Sequence, residues 1–439
     1  MTTTDARIER TAQRLPEREL QALREAGRTE ISRAAATLLA VLFLATLAAV
    51  PLARPWSGAA DGSLAPFAEL GSRLVAPAEG GRVPGLLAAN RRLIADLRAF
   101  EDRLEGGSWP RLRLLPPLQR LLTQRLGLGN EQAYPGRDGW LYYRPDVDHL
   151  TGPGFLEPDE LARRSRGGDA WEAPPQPDPV IALTELAGQV AEHGARLVLL
   201  PTPVKPAIRP WPLAGGRAPP APLRNPSWGE LRRRLEAAGI EVVDPAAGLA
   251  GLAGEGYLRA DTHWRPEAVE STARLLAAAI EAHLGPVGSA PRYRRRPVVI
   301  ESLGDIAVML RLPEGQQLFA AERVTANMVL DAAGRPWRRD AGAEVLLLGD
   351  SFTNVYSDPA LGWGRAAGLA EQLSYELGRP VDKLALNAGG AYATREALAR
   401  ALATGRSRLE GKRVVVYQFA TRELSIGDWR SVGLAAWGE

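Results

Sequence analysis

The chain has 439 residues, enough for one large domain with additions. Its 54 bases against 51 acids leave a formal charge of +3, which excludes the strongly basic balance of a nucleic-acid binder. With no cysteine, disulfides, thiol catalysis and cysteine metal sites are excluded, while the compartment stays open because exported proteins need no disulfide.

In chain order, residues 1–33 are polar and arginine-rich and read as a cytoplasmic tail. Residues 34–53 carry no charge and hold Leu38, Leu39, Val41, Leu42, Phe43, Leu44 and Leu47. At about 1.5 Å per residue such a helix covers a hydrocarbon core of about 30 Å, so a transmembrane anchor is expected. Arg24, Arg28 and Arg33 precede it and only Arg54 follows closely, which keeps the N-terminus inside. The polar lead is long for a signal peptide, which favours an uncleaved anchor, although Pro51-Leu52-Ala53 resembles a processing site. Residues 54–133 read as a linker and helical lead-in: 55–81 is rich in Gly, Ala and Pro, and 86–104 has a helical apolar repeat. A basic amphipathic stretch follows over 111–128, with Pro116-Pro117 interrupting or starting its helix. Its arginines and leucines either lie on a membrane or partner or, as is more usual, pack on the domain.

Residues 134–155 gather Tyr134, Trp140, Tyr142, Tyr143, His149 and Phe155. Aromatic faces suit the apolar face of a pyranose and equally suit a core; Trp140, after a Gly-rich turn, reads as core. A regular pattern begins at Pro179. A helix is expected over 179–192, a strand over 196–200, a loop bearing Lys205, a Pro-rich excursion over 206–226, a capping box Ser227/Glu230 opening a helix, and a strand over 240–243 ending at Asp244, a structural carboxylate. Asp261-Thr262-His263-Trp264 comes next, with Pro266 opening a helix. Of four histidines, His193 and His283 read as helix ends and His149 as part of a turn region; His263 has a carboxylate two residues away. Its place before a helix N-terminus predicts a neutral imidazole, as a general base requires.

Residues 291–343 read as a strand-like insertion, with strands over 298–300, 306–310 and 326–330. The buried strand 344–348 then ends in Gly349-Asp350-Ser351. Beyond it a helix over 362–377, a strand over 381–386, the turn Asn387-Ala388-Gly389-Gly390, a helix over 396–402 and a strand over 413–417 are expected, with a tail over 426–439. Strand and helix alternate on both sides of Ser351, which predicts an α/β domain over 134–425, a three-layer α/β/α arrangement with a mainly parallel sheet. A hydroxyl at the carboxyl end of a strand stands where open α/β sheets build sites, so Ser351 is the candidate nucleophile. His263 is its candidate base and Asp261 the orienting carboxylate. Asp261 and His263 alone make a weak metal pair, with no third ligand near in sequence, and neither metal nor cofactor is expected.

Gly349-Asp350-Ser351-Phe352 resembles the nucleophile block of SGNH-type hydrolases. Asp261-Thr262-His263-Trp264, placed ahead of the serine, resembles the variant in periplasmic alginate O-acetyltransferase proteins, which look rearranged in the same way. Residues 136–142, Gly-Arg-Asp-Gly-Trp-Leu-Tyr, are similar to that family's entry segment, and Leu199-Leu200-Pro201-Thr202-Pro203-Val204-Lys205 to its first central strand and loop. The resemblance implies a Ser351–His263–Asp261 triad, with an oxyanion hole from the Ser351 and Gly390 backbone N–H groups. The usual asparagine of a fourth block is missing; Gln418 stands in its place as third donor, with Asn387 and Asn354 as rivals. Lys205, Tyr142, Trp264 and Arg422 are the substrate-binding candidates. The implied activity is O-acetyl transfer through a serine ester to hydroxyls of an exported polysaccharide, with a carbohydrate esterase or a non-catalytic scaffold as alternatives. The implied partners are a multipass membrane O-acyltransferase as acetyl donor, a polysaccharide acceptor and the inner membrane, with the catalytic domain periplasmic. The short stretch after the last strand leaves no second carbohydrate-binding module in view, which favours the membrane-anchored branch.

Overall fold

The computed structural model describes residues 32–53, 93–94, 96–98, 110–167, 174–285, 292–405 and 408–434. The chain divides into two compact units, Met1–Leu115 and Pro116–Glu439. In the first, the apolar run forms helix α1 (Arg33–Ala53). Its described side chains end at Ala45, and among the described residues no helix is long and apolar enough to cross a membrane. The tail 1–31, the linker 55–81 and most of the repeat over 86–104 lie outside the described residues.

The second unit is entered by helix α2 (Leu115–Leu126), with Pro116-Pro117 in its first turn, and a hairpin of β1 (Ala133–Pro135) and β2 (Leu141–Tyr143). His149 belongs to helix α3 (Arg144–Thr151), not to a turn. Then follow α4 (Pro179–Glu192), β3 (Arg196–Thr202), the short α5 (Lys205–Ile208), α6 (Trp228–Ala237) and β4 (Glu241–Val242). The expected capping box does not form: Ser227 Oγ accepts from Leu156 N at 3.0 Å, and Glu230 pairs with Arg234 at 2.6 Å. Helix α7 (Pro266–Leu284) leads to an antiparallel hairpin of β5 (Tyr293–Ser302) and β6 (Glu322–Asp331). Between these strands, residues expected to form a strand make helix α8 (Asp305–Met309) instead. Ile306, Ala307 and Leu310 share one buried cluster, and their spacing is that of a helical face.

The rest is β7 (Val345–Gly349), α9 (Ser351–Asn354), α10 (Leu369–Leu377), β8 (Asp382–Ala385), α11 (Ala393–Ala403), β9 (Val414–Ala420) and α12 (Glu423–Ile426). Residues 362–368, expected as helix, are a turn that brings Trp363 inward. The five-stranded sheet runs β4-β3-β9-β7-β8 with every neighbour parallel. Its central strands are unbroken apolar runs because both faces are covered. Val345, Leu347, Val198, Leu200, Val414 and Val416 pack with α7 and α10, while Leu346, Leu348, Leu197, Leu199, Val415 and Tyr417 pack with α4, α6 and α11. The sheet is therefore the middle of three layers, and its strands deliver their carboxyl ends to one edge.

Candidate active site

Ser351 follows β7 with a single residue's break, and two neighbours make that turn possible. A Cβ on Gly349 would stand 2.8 Å from Thr353 Cβ and 2.9 Å from Gln418 Oε1, so only glycine lets the strand end approach its neighbours. Asp350 caps α9: its Oδ1 accepts from Phe352 N at 2.8 Å and its Oδ2 from Ala420 N at 2.9 Å, which ties the helix start to the end of β9. Ser351 is the first residue of α9 and half-buried. Its N–H has no intrahelical acceptor and carries the positive end of the short helix.

His263 is buried, and its Nδ1 lies 2.7 Å from Asp261 Oδ1, which also accepts from the His263 backbone N at 2.9 Å. Nδ1–H donation to the carboxylate fixes the tautomer and leaves Nε2 as the lone-pair nitrogen. Nε2 is buried with no hydrogen-bond partner. The histidine segment is bound to the serine helix by several contacts. Trp264 Nε1 donates to Phe352 O at 3.1 Å, Tyr356 OH donates to Trp264 O at 2.9 Å, and the His263 and Phe352 rings lie 4.8 Å apart. Burial alone lowers the His263 pKa, yet the Asp261 carboxylate outweighs it and the net displacement is upward. The expectation of an imidazole held neutral by the following helix is thus corrected: the carboxylate dominates. Burial pushes the Asp261 carboxyl up, but the imidazole and its N–H bonds hold it well below the carboxylate range.

Asp305, passed over in the insertion, completes this arrangement. A Cβ on Gly304, whose φ is +90°, would lie 2.6 Å from Ala260 C and 3.0 Å from Asp261 N, so the glycine lets the start of α8 lie against the Asp261 backbone. Asp305 N then donates to Asp261 Oδ2 at 2.9 Å, and Asp305 Oδ1 accepts from Thr262 N at 2.6 Å. Trp363 Nε1 also donates to Asp261 Oδ2, at 2.8 Å. Carboxyl and imidazole atoms of Asp261, His263 and Asp305 lie within 4.8 Å of one another, the spacing of a metal site. Each Asp261 oxygen, however, already takes two N–H donors. That donor set orients a histidine and leaves the carboxylate saturated against a cation.

Ser351, His263, Thr262 and Asp305 line one cleft of about 470 Å³ with Tyr143, Asn387, Gly390, Arg422 and Glu423. Arg422 alone among the four substrate-binding candidates reaches it. Its Nη1 donates to the buried Asp146 Oδ1 at 3.0 Å, and its guanidinium lies over the rings of Phe352 and Tyr143 at 5.6 and 5.3 Å. Burial would lower its pKa, but Asp146 and Glu423 raise it, so it stays cationic. Glu423 is opposite in kind: burial pushes its carboxyl up to about 7 against the pull of Arg422.

The other candidates are buried and do not line the cleft, which corrects the expectation that they contact substrate. Lys205 is fully buried, donates to Leu141 O at 2.7 Å and Arg259 O at 3.1 Å, and burial pushes its pKa down to about 8. Tyr142 is buried with its OH on Arg209 O at 2.6 Å, and Trp264 is buried against Phe352. Gln418 is fully buried and does not line the cleft, so in this arrangement it is not placed as an oxyanion donor. Its Oε1 accepts from Asp350 N at 3.1 Å and Thr353 Oγ1 at 2.8 Å, while its Nε2 donates to Thr202 Oγ1 at 3.0 Å. Of its rivals, Asn354 is buried and donates to Asn387 Oδ1 at 3.0 Å, and Asn387 lines the cleft with its Nδ2 on Asp358 at 2.8 Å. Gly390 lies at the cleft, beside the Glu423 carboxyl. The pairing of Asp305 and Trp363 with Asp261 had no signature in local spacing.

Comparison with known proteins agrees with this architecture. The chain is 28% identical over 255 residues to the probable alginate O-acetylase AlgJ of Pseudomonas aeruginosa, covering 55% of this chain and 59% of that protein. It is 30% identical over 158 residues to the protein of the same name from Pseudomonas syringae pv. tomato, covering 36% of this chain and 35% of that protein. The matches thus span less than two thirds of these relatives' own lengths. The O-acetyltransferase domain of Pseudomonas putida AlgJ superposes with a TM-score of 0.50 at 19% identity, over 68% of this chain and 94% of that one, a likeness of fold. Residues 133–421 match the family described as SGNH hydrolase-like domain, acetyltransferase AlgX, and the chain belongs to that family.

Proposed function

We propose that this protein is a serine-dependent O-acetyltransferase that modifies hydroxyls of an exported polysaccharide. The observation that carries the reading is the Asp261-bound His263, whose free Nε2 shares a cleft with a serine at a strand's carboxyl end. In the first half-reaction Ser351 Oγ bonds to the acetyl carbonyl carbon and gives its proton to Nε2. The proton then passes to the donor's leaving oxygen as its bond to that carbon breaks. In the second half a sugar hydroxyl gives its proton to Nε2 and attacks the same carbon, and Ser351 Oγ recovers the proton as the ester breaks. Backbone N–H groups of Ser351 and Gly390 stabilise each oxyanion. Arg422, cationic at the cleft wall, suits a uronate carboxylate or the polymer's hydroxyls.

The domain over 134–425 is assigned to the periplasm, held by a single span over 34–53 with 1–33 in the cytoplasm and 54–133 as connector. A multipass membrane O-acyltransferase is the proposed acetyl donor. The names of the relatives, O-acetylases of alginate, and the uncharged run after an arginine-rich tail support this arrangement. The test supplies an isotopically labelled acetyl ester and an acidic polysaccharide. Label is expected on sugar hydroxyls faster than in free acetate, because a transferase must exclude water from its acyl-enzyme. Label only in free acetate would reassign the site to an esterase.

A further inference from the structure

Helix α2 (Leu115–Leu126) is inverted relative to an ordinary packed helix. Its buried residues are the polar Gln119 and Thr123. Gln119 Nε2 donates to Thr123 Oγ1 at 3.0 Å and to Gly129 O at 3.1 Å, and Thr123 Oγ1 donates to Leu128 O at 2.8 Å, so the buried polar face ties the helix to the loop that follows it. The leucines face outward: Leu118, Leu121, Leu126 and Leu128 are 51, 55, 66 and 50% exposed. A helix that meets only water at its outer face would carry the opposite pattern.

Charge identifies what this face meets. Arg120 and Arg125 flank the leucines, are exposed, and have no ion-pair partner among the described residues. No acidic residue occurs anywhere in 106–130. Leucines beside uncompensated arginines match a bilayer interface, where apolar side chains enter the acyl boundary and guanidinium groups reach phosphates. A second copy of this basic stretch, which has no acidic residue, offers no such complement to the arginines.

We infer that α2 lies in the membrane interface, docking this unit on an anionic lipid surface at a place distinct from the apolar run over 34–53. The contact bears on the cleft, because Asn130, just past the helix, donates from Nδ2 to Met309 O at 2.8 Å, and Met309 is part of the cleft wall. Docking at α2 therefore couples the membrane contact to that wall and keeps the cleft near the bilayer, where a membrane-borne acetyl donor works. This consequence rests on the proposed function; the contact itself does not.

The chain has no cysteine, so single substitutions in the full chain take a polarity-sensitive fluorophore cleanly. Leu121→Cys reports α2, Phe43→Cys reports the N-terminal apolar run, and Glu301→Cys, exposed on β5, serves as the water reference. The protein is reconstituted in phosphatidylethanolamine vesicles with and without phosphatidylglycerol. The label at 121 is expected to shift to the blue and to be quenched by lipids nitroxide-labelled at shallow acyl positions, more strongly with phosphatidylglycerol. Arg120→Glu with Arg125→Glu should abolish both changes while the label at 43 is unaffected. A label at 121 that stays in water, in vesicles where the label at 43 is quenched, overturns the inference. A label at 121 that is blue-shifted without being quenched by the nitroxide lipids, or that is shielded only at high protein concentration, also overturns it, assigning the face to this chain's own residues or to a second copy. Transfer activity plays no part in these readings, so they stand or fall apart from the catalytic assignment.

Discussion

His263 is pulled in two directions, and the balance is measurable. Burial disfavours the imidazolium, but the Asp261 carboxylate at 2.7 Å favours it more, so the group loses its proton above the ordinary histidine value of 6.5. Only the neutral form accepts a proton from Ser351. The rate under limiting donor is therefore expected to rise with pH through an inflection above 6.5, and Asp261→Asn should lower that inflection as well as the rate. A rate that is flat from the acid side up to neutrality would exclude His263 as the base. Glu423 gives a stability counterpart. Its folded pKa, about 7, exceeds the ordinary 4.5, so the folded state holds the proton more tightly. The stability this contributes is full below about 4.5 and is lost as pH rises through about 7. Denaturation curves across that window should show Glu423→Gln losing less stability with rising pH than the parent; parallel slopes would show that the carboxyl is not held protonated.

At the scale of elements, the placement of the triad depends on one turn between β5 and α8. Gly304 has a left-handed φ of +90° and lies against the Ala260–Asp261 backbone, so any side chain there must push the segments apart. Gly304→Ala is expected to cut the rate at least about tenfold, since a displacement of about 1 Å at a reacting group costs that much or more. It should cost far less in global stability than Leu347→Ala, a core cavity worth roughly 2–5 kcal/mol. Circular dichroism with urea titration separates the two effects; a wild-type rate in a folded Gly304→Ala protein would mean that Asp305 does not help position Asp261. The same region marks the limit of what sequence reasoning reaches. Strand β7 was readable because both faces of a central parallel strand are buried, which leaves an unbroken apolar run ending in glycine. The Asp261–His263 pair was readable because two positions suffice for their contact. Asp305 and Trp363 were not, because they approach Asp261 from 44 and 102 positions away and neither has a local signature. Gln418, Lys205, Tyr142 and Trp264 belong to the segments that resemble the family's blocks, but they are buried and their polar groups bond to strand ends and loops. The helix α8 hid in an apolar stretch too short for its period to distinguish helix from strand.

For the whole molecule, the five parallel strands end on one edge, and segments far apart in sequence meet there. Ser351 comes from the end of β7, His263 and Asp261 from the approach to α7, Asp305 from the hairpin insertion, and Arg422 and Glu423 from the end of β9. Reversed chain order of histidine and serine is no obstacle, since a triad is defined by geometry and roles. Polar bonds through Gln418, Thr202, Thr353 and Asp350 link the ends of β3, β7 and β9 at this edge. The central claim is that Ser351 carries the acyl group, and peptide mass spectrometry after brief exposure to an acetyl ester tests it directly. One acetyl group is expected on the peptide containing Ser351, absent in Ser351→Ala, with acetylation slowed by roughly 10³-fold or more in His263→Ala. Turnover of the donor without acetyl on that peptide, or with undiminished labelling in Ser351→Ala, would contradict the account.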